Sequence, residues 1–132
     1  MSESTPVRLA TGTHVLADLC DIDPLILRDA ARIESILIEA ALDAGARVLY
    51  AHFHHFGGEG GVTGVVLLAE SHITIHTWPE HRFVALDAFM CGSADPERAV
   101  ASITRELKAR VCKVDVSRRG VAMLTSKQPG SR

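Results

Sequence analysis

The sequence contains no apolar run that approaches the roughly 18 residues of a membrane-spanning helix. Its first residues, Met1 to Pro6, have neither the basic nor the apolar region of a secretion signal. The formal net charge is −2, so there is no excess of positive charge to attract nucleic acid or an anionic membrane. We therefore expect a cytoplasmic protein that binds neither nucleic acid nor membrane.

Cysteine is also scarce. The three cysteines, Cys20, Cys91 and Cys112, are odd in number and widely separated, and none belongs to a Cys-x-x-Cys pair. This pattern argues against a disulfide framework and against a zinc site, and it fits a reducing compartment.

The sequence does contain enough apolar residues for one core. Its 132 residues are 47% hydrophobic and 23% charged, which is typical of a single globular domain, here covering residues 1–132. The spacing of the apolar residues distinguishes strands, with period two, from helices, with period 3.6. It predicts two helices, one over 24–44 and one that begins near Pro96 and has Arg110 on its inner stripe, and strands over 13–20, 46–54, 62–69, 71–78, 83–90 and 111–117.

This order, β-α-β-β-β-β-α-β, predicts a fold of the α+β class. We expect a two-layer α/β sandwich with an antiparallel-dominated sheet and two helices on one face. Asp23 is expected to cap the first helix and Gly45 to end it, and Ser93 or Asp95 is expected to cap the second. Residues 1–12 and those after about 119 are predicted to lie outside this framework.

Chemistry is concentrated in the segment from Ala69 to Glu80, which contains Ser71, two histidines and the only tryptophan. No Gly-x-Ser-x-Gly sequence surrounds Ser71, which argues against an ordinary serine hydrolase. A serine hydroxyl can instead attack the carbonyl of the residue before it, here Glu70, if the turn is strained and donors stabilise the oxyanion. The amide then becomes an ester, and β-elimination cuts the chain.

The partners of Ser71 remain open at this level. His76 has the opposite parity to Ser71 on a flat strand, so it can assist only if the strand bends; otherwise it is a half-buried histidine bonded to a neighbour. Thr63 is either a second hydroxyl across the sheet or a plain strand residue. Cys91 is either a small buried hydrophobe or an acid at a strand end.

Residues that could bind a ligand are equally ambiguous. Glu80 is either a surface charge or a carboxylate directed at hydroxyl groups of a ligand, and Phe56 is either a core residue or a stacking surface beside the loop Gly57–Gly61. A metal site at His52, His54 and His55 is disfavoured, because no acidic or cysteine partner lies at a recognised spacing.

The segment from Glu70 to Glu80, read as Glu-Ser-His-Ile-Thr-Ile-His-Thr-Trp-Pro-Glu, closely resembles the processing-site signature of the small prokaryotic S-adenosylmethionine decarboxylase proenzymes. The resemblance extends from about Gly12 to the last strand. It includes the segments 53–56, 61–66, 86–92 and 95–96.

The resemblance implies a pyruvoyl-dependent carboxy-lyase with an α/β sandwich fold. It implies self-cleavage between Glu70 and Ser71 into a β chain, 1–70, and an α chain, 71–132, with Ser71 converted into the pyruvoyl group. That group would form a Schiff base with the substrate amine and accept the electron pair left by CO₂, without a metal or a dissociable cofactor. The product would donate aminopropyl groups for spermidine synthesis.

Roles for individual residues follow from the same resemblance. His76 matches the histidine that assists processing, and Thr63 lies where many members have a serine. Cys91 matches the proton donor, Glu80 the carboxylate that binds the ribose, and Phe56 the aromatic residue that stacks on adenine. Family members assemble as dimers of the αβ pair, so a homodimer is expected.

The loop Gly57–Gly61 departs from the family pattern. It is one residue longer, lacks the usual proline and adds Glu59. Glu59 is either a solvated charge or a partner for a cationic group, and the second reading would suit a basic amino acid as substrate. Two alternatives therefore remain: the same pyruvoyl chemistry on arginine or ornithine, and an unprocessed, non-catalytic homologue.

Overall fold

The computed structural model describes residues 11–120. The predicted order of elements is confirmed, with one extra short helix and one 3₁₀ turn. The strands are β1 (Gly12–Cys20), β2 (Val48–His55), β3 (Val62–Leu68), β4 (Ser71–Trp78), β5 (Phe83–Met90) and β6 (Arg110–Arg119). The helices are α1 (Pro24–Leu27), α2 (Ala30–Asp43) and α3 (Pro96–Glu106), and the 3₁₀ turn is Pro79–His81. The expectations for residues 1–10 and 121–132 lie outside the described residues.

The strands form one six-stranded sheet in the order β2-β3-β4-β5-β1-β6, and every neighbouring pair is antiparallel. Helices α2 and α3 pack against one face of this sheet. The α+β sandwich predicted from the sequence is therefore confirmed. The buried core lies between the layers and includes Val15, Ala17, Leu19, Ile33, Leu37, Ile73, Ile75, Val84, Ile103 and Leu107.

Alternate side chains of the strands point away from the helices. On β4, Ile73 and Ile75 are buried while His76 is exposed, as the period-two pattern predicts. We call this second surface of the sheet the open face, because no element within residues 11–120 covers it. It includes Leu16, Tyr50, Leu67 and Trp78, all of them exposed large apolar residues.

The single first helix predicted from the sequence is wrong. Asp29 interrupts it: the Asp29 carboxylate accepts a hydrogen bond from the Arg32 amide at 3.1 Å and begins a new helix. Asp23 caps the short α1 by accepting from the Leu25 amide. The predicted stop is confirmed, because Gly45 follows α2 with a φ of +90°.

At α3, the second helix predicted from the sequence, Asp95 is the N-cap and accepts from the amides of Glu97 and Arg98. The placement of Arg110 on the inner stripe of this helix was wrong. Arg110 begins β6, is exposed and donates to Asp21 at 2.7 Å. The left-handed residue Lys108, with a φ of +54°, turns the chain into the strand earlier than the apolar period indicated.

The sulfur atoms of Cys20 and Cys112 lie against each other, with Cα atoms 6.0 Å apart, a separation that a disulfide spans. The sequence argued against a disulfide framework and gave no sign of this single pair. Neither the distance along the sequence nor the odd count reveals this pair. It forms because β1 and β6 are neighbours, with an irregularity in register between Asp18 and Leu19. Cys91 is the free thiol.

The two halves of the chain are interleaved in the sheet. Strand β1, from the first half, lies between β5 and β6, which both come from the second half. A cut in the β3–β4 turn would therefore leave two chains that share one sheet. No helix within residues 11–120 has the length and apolar character needed to cross a membrane.

Candidate active site

The β3–β4 turn holds the backbone in an uncommon conformation. Leu68 pairs with Ser71, so Ala69 and Glu70 form a two-residue turn. Glu70 has a φ of +63°, in the left-handed region that residues with a Cβ rarely occupy. Strain of this kind costs on the order of 1–3 kcal/mol. The peptide bond between Glu70 and Ser71 thus directly follows a strained residue.

A thiol contacts this turn. Cys91 directly follows β5, and its Sγ donates a hydrogen bond to the Glu70 carbonyl oxygen at 3.2 Å. The antiparallel pairing of β4 with β5 brings the end of one strand beside the start of the other. The structure therefore brings Ser71, Glu70 and Cys91 together at one turn, with the Cys91 thiol as a donor to the Glu70 carbonyl oxygen.

Ser71 also borders a cavity of about 420 Å³. Its lining comes from four strands and the β3–β4 turn, and consists of His14, Glu70, Ser71, His72, Phe89 and Arg119. Residue 12 has no room for a side chain, because the Phe89 ring lies against it. Glycine at this position therefore lets the Phe89 ring form one wall of the cavity.

A cluster of polar side chains beside this cavity was not predicted from the sequence. The Asp87 carboxylate contacts His14 Nε2 at 2.6 Å and His72 Nε2 at 3.1 Å, and it accepts a hydrogen bond from Thr74. Strand parity places each of these residues on the open face, but only the register between β1, β4 and β5 brings them together. A sequence does not give that register.

These contacts keep Asp87 ionised. Partial burial raises the pKa of its carboxyl, but the hydrogen bonds from Thr74, His14 and His72 outweigh that effect and hold the pKa below its usual range. The nitrogen and oxygen atoms of His14, His72 and Asp87 also lie within 4.8 Å of one another, close enough to hold a metal ion. Because each Nε2 already contacts Asp87, hydrogen bonding accounts for this arrangement without a metal.

His76 lies at the other end of β4. Strand β4 pairs without interruption with both neighbours over this stretch, so the bend that would bring His76 to Ser71 is absent. Five residues of extended strand separate the two by about 17 Å. His76 Nδ1 instead contacts Thr63 Oγ1, its cross-strand neighbour, at 3.1 Å. The structure thus pairs Thr63 with His76 but does not bring either to Ser71 of the same chain.

Phe56 belongs to the His76 end. It borders a cavity of about 460 Å³ together with His52, His54, Thr63, Gly64, Val65, Thr74 and His76. The Phe56 ring is exposed and lies edge-on to His54, with ring centres 4.6 Å apart. His55 points elsewhere and contacts the Gly60 carbonyl oxygen at 3.1 Å. The three histidines of β2 therefore do not converge.

Glu59 and Glu80 lie together, away from both Ser71 and His76. They border a cleft of about 260 Å³ with Pro24, Arg28, Pro79 and Arg82. The glycine loop reaches this position through two left-handed residues, Gly57 and Gly58, with φ of +90° and +53°. The three substrate-binding residues predicted from the sequence therefore occupy two sites, and neither borders the Ser71 cavity of this chain.

Comparison with known proteins identifies the family. The family model described as S-adenosylmethionine decarboxylase matches residues 13–120. The chain belongs to the S-adenosylmethionine decarboxylase family. An S-adenosylmethionine decarboxylase proenzyme of Thermodesulfovibrio yellowstonii is 42% identical over 113 residues, covering 85% of this chain and 83% of the relative. One from Caldicellulosiruptor saccharolyticus is 48% identical over 101 residues, covering 76% and 81%.

A solved structure agrees with this assignment. The crystal structure of the adenosylmethionine decarboxylase from Aquifex aeolicus superposes with a TM-score of 0.79 and 36% sequence identity. The match covers 91% of this chain and 99% of that one. The family resemblance seen in the sequence is thereby confirmed for nearly the whole fold.

Proposed function

We propose that this chain is a self-processing, pyruvoyl-dependent decarboxylase of S-adenosylmethionine. The relatives bear that enzyme's name, and the chain shares their sequence and fold. The observation that carries the proposal is local: a strained Glu70, the Ser71 hydroxyl next to it, and a thiol that donates to the Glu70 carbonyl.

The proposed self-cleavage needs no reagent other than water and the protein's own groups. Ser71 Oγ attacks the Glu70 carbonyl carbon, the C–N bond breaks, and an ester replaces the amide while the Ser71 nitrogen becomes an amine. A base then removes the Ser71 α-proton, and Glu70 leaves as a carboxylate, which ends the β chain. The remaining dehydroalanine takes up water and loses ammonia, which gives the pyruvoyl group at residue 71.

Cys91 suits the oxyanion of the first step. Its Sγ already lies 3.2 Å from the oxygen on which negative charge develops, where a donor lowers the barrier most. The same thiol remains beside residue 71 after the cut, where it can protonate carbon once CO₂ has left. The pyruvoyl group supplies the electron-accepting carbonyl for that decarboxylation.

His76 requires a second copy of the chain. It lies about 17 Å along the strand from Ser71, beyond the reach of a side chain. We place the Thr63–His76 pair of one copy against Ser71 of another, with the open faces of two sheets packed together. Exposed Leu16, Leu67 and Trp78 support this contact, because a lone chain would leave them in water. The homodimer of αβ pairs also brings Phe56 toward the partner's Ser71.

The alternative substrates gain no support. Glu59 shares its cleft with Arg28 and Arg82, so the added carboxylate has cationic neighbours within the chain and does not require a basic amino acid. The intact Ser71 and Cys91, held in contact with the same turn, are not needed by a non-catalytic homologue. The cytoplasmic location stays a prediction, and a disulfide is unusual for that compartment.

The test combines intact mass with CO₂ release. Under reducing conditions, the purified protein should give two masses, a chain ending at Glu70 and a chain whose new N-terminus has lost ammonia. It should release CO₂ from S-adenosylmethionine and not from arginine or ornithine. A chain that stays uncut, or turnover of a basic amino acid alone, would refute the proposal.

A further inference from the structure

We propose that Arg119 binds the α-carboxylate of the substrate, and that Asp87 holds Arg119 in position through His14. This rests on the proposed function, since it concerns the same Ser71 cavity. It assigns a role to three residues for which the sequence gave none: His14 on β1, Asp87 on β5 and Arg119 at the end of β6.

Arg119, His14 and Asp87 form a series of hydrogen bonds in which each residue donates to the next. Arg119 Nη1 lies 3.2 Å from His14 Nδ1, and His14 Nε2 lies 2.6 Å from Asp87 Oδ2. A guanidinium only donates, so Nδ1 must be the acceptor and the imidazole must carry its proton on Nε2. That proton is donated to Asp87, which is ionised. The series Asp87–His14–Arg119 therefore fixes the tautomer of His14 and the position of the guanidinium.

The cavity gives the guanidinium its target. Arg119 and Ser71 border the same space of about 420 Å³. An amino acid substrate whose α-amine reacts at residue 71 carries its α-carboxylate on the same carbon, and so brings it into this space. Arg119 donates to the His14 ring through one guanidinium nitrogen. Its other N–H donors remain available for a carboxylate, whose two oxygens match the geometry of a guanidinium.

Glu70 borders the same cavity and is the competing anion. No ion pair joins Glu70 to Arg119 in residues 11–120. Within the described residues, the side chain of Glu70 therefore does not neutralise the charge of Arg119. A substrate carboxylate can bind the guanidinium without displacing a salt bridge to Glu70.

The experiment compares two ligands that differ only in the carboxylate. S-adenosylmethionine has it and decarboxylated S-adenosylmethionine, the reaction product, lacks it. KM, kcat and the product's inhibition constant would be measured for wild type, Arg119→Gln, Arg119→Lys and Arg118→Gln. Arg118 is the matched control, because it is the adjacent residue of β6, is exposed, and pairs with Thr13 on the opposite side of the sheet.

Arg119→Gln should raise KM by about tenfold or more while the product's inhibition constant stays within about twofold. Arg119→Lys keeps the charge but loses the paired N–H donors of the guanidinium, and should raise KM by a few fold. His14→Gln should raise KM with kcat little changed, as expected of a positioning residue. Arg118→Gln should resemble wild type.

Equal loss of affinity for substrate and product would overturn the assignment, and so would an unchanged KM. If Arg119→Gln fails to fold or to process, the assignment is tested with Arg119→Lys, by the same comparison of KM for the substrate with the inhibition constant of the product. Failure of the proposed function is recognised separately, because wild type itself would then remain uncut or inactive on S-adenosylmethionine.

Discussion

The two ends of β4 differ in almost every respect. At the Ser71 end the backbone enters from a left-handed residue, a thiol contacts the turn, and a polar cluster surrounds Asp87. At the His76 end the ladder is regular and the surroundings are aromatic, with Trp78 packed between His76 and Phe83. One end has a strained residue beside a serine hydroxyl, and the other presents a histidine–hydroxyl pair on an exposed surface.

The difference supports the proposal that one copy of the chain holds two half-sites rather than one whole site. Each half is internally organised, Ser71 with Cys91 and His76 with Thr63, yet about 17 Å of strand separates them. Packing two open faces together with the strands in opposite directions would join the unlike ends. Substitutions at either end then test how the halves cooperate.

The largest effect is expected at the Ser71 end. Ser71→Ala removes the hydroxyl proposed to attack the Glu70 carbonyl and to become the pyruvoyl group, so cleavage and decarboxylation should both disappear. Intact mass under reducing conditions and CO₂ release measure the two losses. Ser93→Ala, in an exposed turn, is the control and should process and turn over normally. A cut Ser71→Ala chain would exclude Ser71 as the nucleophile.

Cys91→Ala separates processing from turnover. Cleavage should slow, because the Glu70 carbonyl loses a donor, but it should still go to completion, because strain and Ser71 are unchanged. Turnover should fall by about 100-fold to 10,000-fold, the contribution of a well-placed general acid. Single-turnover CO₂ release on fully cut protein measures this, with Cys91→Ser as a weaker acid of similar size. Normal turnover in the alanine variant would show that another group protonates the carbon.

Ionisation of Asp87 should make the stability that the polar cluster provides depend on pH. Its pKa is depressed in the folded chain, so its stabilising contribution is present above the unfolded value, about 4, and is lost as the pH falls through the folded value. Asp87→Asn should cost about 1 to 3 kcal/mol of unfolding free energy near neutral pH. Denaturant unfolding should show this difference shrinking in acid. A difference independent of pH would mean that the charge of Asp87 is unimportant.

Removing the Cys20–Cys112 link should have the smallest effect on activity, but it should clearly change the mass observed without reductant. After the cut, Cys20 lies in the β chain and Cys112 in the α chain. Without reductant the two chains should therefore run as one linked species, and with reductant as two. Cys20→Ser should abolish the link while the interleaved strands keep the chains associated and active. Two separate masses without reductant would show that the thiols are not bonded.

The sequence predicts the sandwich well, because alternation along each strand and the spacing within α3 record which faces are buried. Through the family motif it also draws attention to Ser71 and Cys91, but not to the hydrogen bond from Cys91 to the Glu70 carbonyl. It does not predict the break at Asp29, because an N-cap residue within the predicted helix leaves the spacing of the apolar residues unchanged. The Asp87 cluster and the Cys20–Cys112 pair depend on strand register and strand order, which long-range packing decides.

Mixed dimers decide whether His76 acts on Ser71 of another copy. A Ser71→Ala chain and a His76→Ala chain would be coexpressed with different tags. The first retains His76 and the second retains Ser71, so each mixed dimer holds one complete site. We predict that the His76→Ala chain, which is cut slowly or not at all alone, is cut before Ser71 in the mixture. If it remains as uncut in the mixture as it is alone, histidine assistance from a second copy is contradicted.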